Sequence, residues 1–133
     1  MKYIILIVIT LCITNIEAQE NEHISVIEFI EVLNNNKAET LYYYKNNWQE
    51  LRVKALEKNY IESYELLETE PTDKTAYQFI LITTYVNKAQ YNKSEMRFQE
   101  LINNSGGLKL LNNKKPSDFR KIIFANDNVI HLN

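Results

Sequence analysis

The chain has 133 residues, of which 15 are basic and 17 acidic, for a formal net charge of -2, and 45% are hydrophobic. That balance suits one folded domain with a sizeable core and argues against nucleic acid or an anionic membrane surface as the main partner. With Cys12 as the only cysteine, no intrachain disulfide can form, so the fold depends on burial alone.

The chain opens on Met1-Lys2, runs through the uncharged apolar segment Tyr3 to Ile13, and fades through Thr14 to Ala18 into Gln19-Glu20-Asn21-Glu22. A basic start, a short apolar run and a small residue at its end are the parts of a secretory signal peptide. Cleavage is expected after Ala18, with export to the periplasm or the medium. A spanning helix needs about 20 apolar residues, more than this run supplies, so no membrane attachment is expected after removal. Cys12 follows Leu11 inside the apolar run, which does not fit a lipidated cysteine. The mature domain is then 19–133.

Ile24 to Leu33 reads ISVIEFIEVL, through which both a helical stripe and a strict alternation can be drawn. Its β-branched content, its length and the Asn34-Asn35-Asn36 that follows favour a strand. Apolar on both faces except at Glu28 and Glu31, it reads as a central strand covered on both sides. From Lys37 to Lys58 the period is helical, with Leu41, Tyr44, Trp48, Leu51 and Ala55 on one stripe. The other side carries Lys45, Glu50, Arg52, Lys54 and Glu57, with Glu50 and Lys54 in the favourable order for an ion pair. Asn59 is placed to end the helix in the left-handed conformation.

Tyr60 to Glu70 alternates and carries Glu62, Glu65 and Glu68, as an edge strand does, and Pro71 ends it. Tyr77 to Val86 is apolar on both faces and reads as a second central strand. Asn87 followed by Gln90 is a helix start, and the helix runs through Tyr91, Ser94, Phe98 and Leu101 or Ile102 to the break at Asn103-Asn104-Ser105-Gly106-Gly107. Leu108 to Leu111 takes no assignment. Phe119 to Ala125 is expected as an edge strand bearing Arg120 and Lys121, and Val129 to Leu132 as a short tail strand. The succession β-α-β-β-α-β, with apolar first and third strands, implies an α+β ferredoxin-like fold with an antiparallel sheet in the order 4-1-3-2. Both helices then lie on one face. A second copy of the sheet is the simplest cover for the other, so a homodimer through the helix-free face is expected.

The run Trp48-Gln49-Glu50-Leu51-Arg52, continuing from Ala55 to Leu67, and then Phe79 to Tyr85, resembles the dimeric α/β-barrel superfamily, which includes antibiotic-biosynthesis-monooxygenase-like and stress-responsive barrel domains. The resemblance covers most of the mature chain and rests on pattern. It implies a dimeric barrel, and it brings in activities such as cofactor-independent oxygenation, isomerisation and haem breakdown. Haem-degrading members use a helix histidine with an asparagine and a tryptophan. Here His23 and His131 lie outside both helices, so Trp48 alone does not support that chemistry.

Candidate ligand-binding residues are the aromatics Trp48, Tyr64, Tyr77, Phe79 and Tyr85 and the strand carboxylates Glu28 and Glu31. Tyr64, Tyr77, Phe79 and Tyr85 are candidates to line a cleft at the helix-free face, where a pocket with a few hydroxyls suits a small apolar molecule. A dimer core whose tyrosine hydroxyls reach the rim is the favoured plainer account. Burial would make whichever glutamate faces inward a candidate proton acceptor, though a carboxylate reaching solvent or an edge lysine is favoured. The two point to opposite faces and cannot act as a pair. Ala76-Tyr77-Gln78-Phe79-Ile80 imitates the spacing of RNA-recognition aromatics but lacks their glycines and basic residue. No metal is expected, the two histidines being distant in sequence and cysteine absent from the mature domain, and no cofactor is implied. The expected role is an exported module that binds a small apolar ligand or is purely structural, with a cofactor-independent monooxygenase or isomerase as the alternative.

Overall fold

The computed structural model describes residues 22–133, so the expected signal peptide and its cleavage point lie outside the described residues. Four strands, β1 (Ile24–Val32), β2 (Ser63–Glu68), β3 (Tyr77–Tyr85) and β4 (Arg120–Ile130), form one antiparallel sheet in the order β2-β3-β1-β4. This is the ferredoxin-like arrangement anticipated from the two-sided apolar strands, with β1 and β3 at the centre. The ambiguous first segment is a strand.

Register divides the residues of each strand between two faces. Ile30 lies opposite Phe79 and Val26 opposite Thr83, while Tyr64 and Leu66 of β2 lie opposite Thr83 and Leu81. These side chains meet the helical layer in two buried clusters, one around Ile30, Tyr44, Trp48, Phe79 and Leu81, the other around Ala55, Ile61, Tyr85 and Leu101. Burying side chains of this size contributes roughly 1.5–3 kcal/mol apiece, so this face supplies most of the stability.

The first helical rod comprises α1 (Lys37–Tyr43), a π-helical turn (Tyr44–Trp48) and α2 (Gln49–Glu57). The flanking residues Tyr43, Tyr44, Trp48 and Gln49 all keep right-handed helical dihedrals, so the rod does not break. As the stripe predicts, Tyr44, Trp48 and Ala55 are buried, and Leu41 and Leu51 pack against the core. The π turn has a local cause in Asn46 and Asn47. Their side-chain amides each donate to the carbonyl four residues back, on Tyr42 and Tyr43, at 2.9 Å. Carbonyls held by side chains leave the backbone ladder free to shift by one residue, and Gln49 N–H donates to the Tyr44 carbonyl instead.

The second helical segment is α3 (Lys88–Asn92) followed by α4 (Ser94–Asn103). Asn87 caps it, accepting from Gln90 N–H at 2.9 Å, while the Gln90 side chain accepts from Val86 N–H and donates to the Asn59 carbonyl. A short α5 (Pro116–Phe119) precedes β4, with Phe119 fully buried at its end rather than opening the strand. The expected tail strand is not separate: β4 continues without interruption to Ile130. Its register against β1 slips twice, between Ser25 and Ile27 and between Phe29 and Ile30, so two bulges absorb the extra residues.

Five asparagines, Asn34, Asn35, Asn59, Asn112 and Asn113, have φ between 52° and 58°. That left-handed region is costly for most residues and tolerated by asparagine. The abundance of this residue therefore serves the turns, including the predicted helix end at Asn59. Glu50 pairs with Lys109 at 2.7 Å rather than with Lys54, because the irregular segment after α4 returns to the helix. Asn47 secures that segment, exchanging hydrogen bonds with the backbone of Lys109 at 2.7 and 2.8 Å.

Candidate ligand-binding site

Between the first helical rod and the β1–β4 side of the sheet lies a cavity of about 270 Å³. Tyr43, Tyr44 and Trp48 come from the rod, where the π turn presents two of them. Glu28 comes from β1, and Arg120 and Ile122 from β4. Ile122 reaches the cavity because it lies opposite Ile30, whereas Phe124 lies opposite Phe29 on the other face; the bulge falls at Ile123 between them.

Arg52 also lines the cavity, contrary to the expectation that it sits on the solvent side of the helix. Its guanidinium lies 4.4 Å from the ring centroids of both Trp48 and Phe98, and its Nε donates to Thr83 Oγ1 at 3.3 Å. Stacking between two aromatic faces offsets part of the desolvation cost of the buried cation. Burial lowers its pKa from 12.5 to about 10, so it remains charged at neutral pH. Arg120 lies 5.1 Å from the Tyr43 ring and donates weakly to the Tyr43 hydroxyl at 3.5 Å. Among the described residues neither arginine takes part in an ion pair.

Among the described residues three buried side-chain polar atoms have no hydrogen-bond partner, namely the Tyr44 hydroxyl, Trp48 Nε1 and Arg120 Nε, and all three belong to residues of this cavity. Tyr44 is 3% exposed and Trp48 8%. Burial pushes the Tyr44 phenol well above its ordinary range, so its proton stays on and the group donates. Leaving a buried polar group unsatisfied costs about 1–3 kcal/mol. All three have almost no accessible surface, so they sit in the packed wall beside the cavity and not on its open surface.

Of the predicted candidates, Glu28 and Trp48 line this cavity. Tyr64, Phe79 and Tyr85 do not line a cleft at the helix-free face: the register puts them under the helices, Tyr64 edge-on to Trp48 at 5.8 Å and Tyr85 edge-on to Tyr91 at 5.4 Å. Only Tyr77 reaches the bare face. Simple alternation would group it with Phe79, but Glu31 pairs with Tyr77 after Ile30 pairs with Phe79, so the bulge at Gln78 turns it over. Glu31 shares that face, opposite to Glu28 as expected. Tyr43, Tyr44, Arg52, Arg120 and Ile122 were not predicted for a site. The one available signal was Arg52, which stands one helical turn after Trp48 and next to Leu51.

On the bare face Phe29 meets Tyr77 at 4.8 Å and Phe124 at 5.6 Å, forming with Ile123 a shallow apolar depression of about 240 Å³. Phe124 is 56% exposed, and Leu67 and Ile123 are exposed to 41% and 38%. At one end of this face the fold brings together the two histidines, far apart in sequence, with ring centroids 5.8 Å apart. His131 Nε2 bonds Ser25 Oγ at 2.7 Å, Ser25 Oγ bonds Thr84 Oγ1 at 2.7 Å, and His23 Nδ1 faces Glu62 at 2.7 Å. This network ties the end of β4 to β1 and β3 and uses its polar atoms internally. Among the described residues no group of three His, Cys, Asp or Glu is placed to hold a metal, and no helix is long and apolar enough to cross a membrane.

The chain matches no protein-family model, no curated protein and no solved structure.

Proposed function

We propose that this chain is an exported small-molecule-binding module whose ligand occupies the cavity beneath the first helical rod. The cavity wall supports this reading, because it sets Arg52 and Arg120, neither in an ion pair, and the carboxylate of Glu28 among the rings of Tyr43, Tyr44 and Trp48, the mixed apolar and polar lining of a small-molecule site. The π turn at the cavity wall agrees with it, since such turns cluster at functional sites. The ligand then lies under the helices and not in the cleft at the helix-free face, for which the sequence offered Tyr64, Tyr77, Phe79 and Tyr85 as candidates.

The bare face supports the second half of the proposal, a homodimer of the dimeric α/β-barrel kind. Phe29, Tyr77, Ile80, Ile82 and Phe124 give it an apolar centre, as an interface core requires. Native mass spectrometry of the protein from its own host tests both halves in one measurement. A dimer mass with an added small molecule is expected. A bare monomer at micromolar concentration sinks both halves, and a bare dimer sinks the ligand alone.

Glu28 favours a second reading, an isomerase that needs no cofactor, because it places a carboxylate on the cavity wall where a bound molecule can lose a proton. Incubating the retained ligand with the protein in heavy water tests this reading. Deuterium entering the ligand only when protein is present is expected, and its absence removes the isomerase.

A further inference from the structure

Resting on the reading of the cavity as a ligand site, we propose that residues 104–115, between α4 and α5, form a regulatory strap. Seated on Asn47, the strap holds the π turn, and with it the cavity wall, in the shape that receives the ligand, and binding in turn holds the strap down. At twelve residues the segment has neither helix nor strand. A connection that long is uncommon in a compact domain, and one that is also fastened down falls among functional loops rather than linkers. No residue from 102 to 118 is buried, so the fastening is chiefly polar and opens at little cost to the core. At the far end Lys114 and Asn112 donate to Glu39, and Phe119 beyond them is fully buried. At the near end Lys109 pairs with Glu50 through its ammonium and with Asn47 through its backbone. Gly106 and Gly107 stand just before it with φ of 81° and 101° and open space around both, which gives the strap a hinge.

Asn47 is where strap and cavity meet. No strap residue lines the cavity, but Asn47 does, and it belongs to the π turn whose Tyr44 and Trp48 are wall rings. Its side-chain amide is fully engaged. Nδ2 donates to the Tyr43 carbonyl at 2.9 Å and to the Lys109 carbonyl at 2.8 Å, and Oδ1 accepts from the Lys109 N–H at 2.7 Å. Two of these three bonds belong to the strap. With the strap away the amide is free to turn to water, and the Tyr43 carbonyl is open to the backbone donor four residues on. The turn then closes to the α register. That shift changes the angle between Tyr43 and Trp48 around the rod, and so the wall the ligand meets. Strap and ligand thus bias one turn with two registers, and linkage makes their effects mutual.

Trp48 is the only tryptophan of the chain and lines the cavity, so its fluorescence reports the wall with no ligand present. Lys109→Pro removes the N–H that donates to Asn47 and leaves the rod unaltered, while Lys109→Ala removes only the ion pair with Glu50. Quenching of Trp48 by acrylamide should change severalfold in Lys109→Pro and keep the wild-type value in Lys109→Ala. Native mass spectrometry of the host-purified variants should find less retained molecule on Lys109→Pro alone. The reverse direction uses Asn46→Ala, which frees the Tyr42 carbonyl on the turn and breaks no hydrogen bond to the strap. Hydrogen exchange at the Lys109 amide should then quicken about fivefold or more. Should Lys109→Pro prove unfolded by circular dichroism, the exchange measurement decides. Wild-type quenching in Lys109→Pro, or unchanged exchange in Asn46→Ala, overturns the strap and leaves the ligand site standing. Equal changes in both Lys109 variants place the effect on the Glu50 pair and overturn the role of Asn47. If the coupling is seen but the host-purified wild type carries no ligand, the regulation falls together with the reading it rests on.

Discussion

The two faces of the sheet each carry a group of aromatic rings, and the two groups are built differently. Under the helices, Tyr43, Tyr44 and Trp48 line a half-open space together with Arg52, Arg120 and Glu28. On the bare side, Phe29, Tyr77 and Phe124 pack edge to face and leave an open apolar hollow with hardly a polar atom on it. A concave space with charged and aromatic walls suits the proposed small ligand. Exposed apolar area calls for a surface large enough to cover it. Under the proposed function the same residue class would serve recognition on one side and association on the other, and the polar atoms nearby would decide which.

The largest effect is expected from breaking the covered side. Phe79→Ala removes a ring that is 1% exposed and should cost about 3–5 kcal/mol in urea unfolding. Asn47→Ala should cost less, about 1–2 kcal/mol, because its amide supports the π turn and holds Lys109. Faster hydrogen exchange at the Lys109 amide would register the loosened segment, and an unchanged rate would remove Asn47 from that role.

Acid sharpens the contrast at the helix start, where Lys114 and Asn112 both donate to Glu39. The Lys114 hydrogen bond, aided by Asn112, lowers the Glu39 pKa from 4.5 to about 2. A carboxylate depressed on folding contributes in full above its unfolded value and loses that contribution as pH falls through the folded one. The wild type should therefore lose stability between pH 4.5 and about 2 more steeply than Glu39→Gln in acid titrations followed by circular dichroism. Parallel curves would show that the ion pair does not stabilise the fold.

The smallest effect belongs to the bare side. Phe124→Ala, at a ring 56% exposed, should change the stability of a dilute monomer by no more than about 0.5 kcal/mol. Under the proposed dimer the same substitution should lower the mass seen by light scattering at higher concentration. A change in monomer stability as large as that of Phe79→Ala would erase the distinction between the faces.

The strand order was legible because burial on two faces leaves a mark that no edge strand shares: Ile24 to Val32 and Tyr77 to Tyr85 are apolar at odd and even positions alike. The helix stripe from Leu41 to Ala55 was legible for the same reason. What escaped the reading depended on departures from regular periods. A bulge at Gln78 reverses Tyr77, another at Ile123 puts Ile122 on the helix side of the sheet, and side-chain amides at Asn46 and Asn47 widen a helical turn. Arg52 escapes the periodic pattern because charge ordinarily marks an exposed position, whereas a guanidinium can be held between two rings. The pairing of His23 with His131 comes from the closure of the sheet between the first and last strands, which local pattern does not carry.

The two bulges of β4 have a consequence for the protein in a crowd. A free sheet edge is a template on which another chain can add a strand, and repeated addition makes fibres. At the β4 edge the bulges throw the free backbone groups out of step with any straight strand, and Asn126 occupies the Asn128 N–H with its own side chain at 3.0 Å. The opposite edge, β2, is short and carries Glu65 and Glu68. Growth along the sheet is discouraged at both ends, which leaves face against face as the contact for the proposed dimer, a closed arrangement that would stop at two.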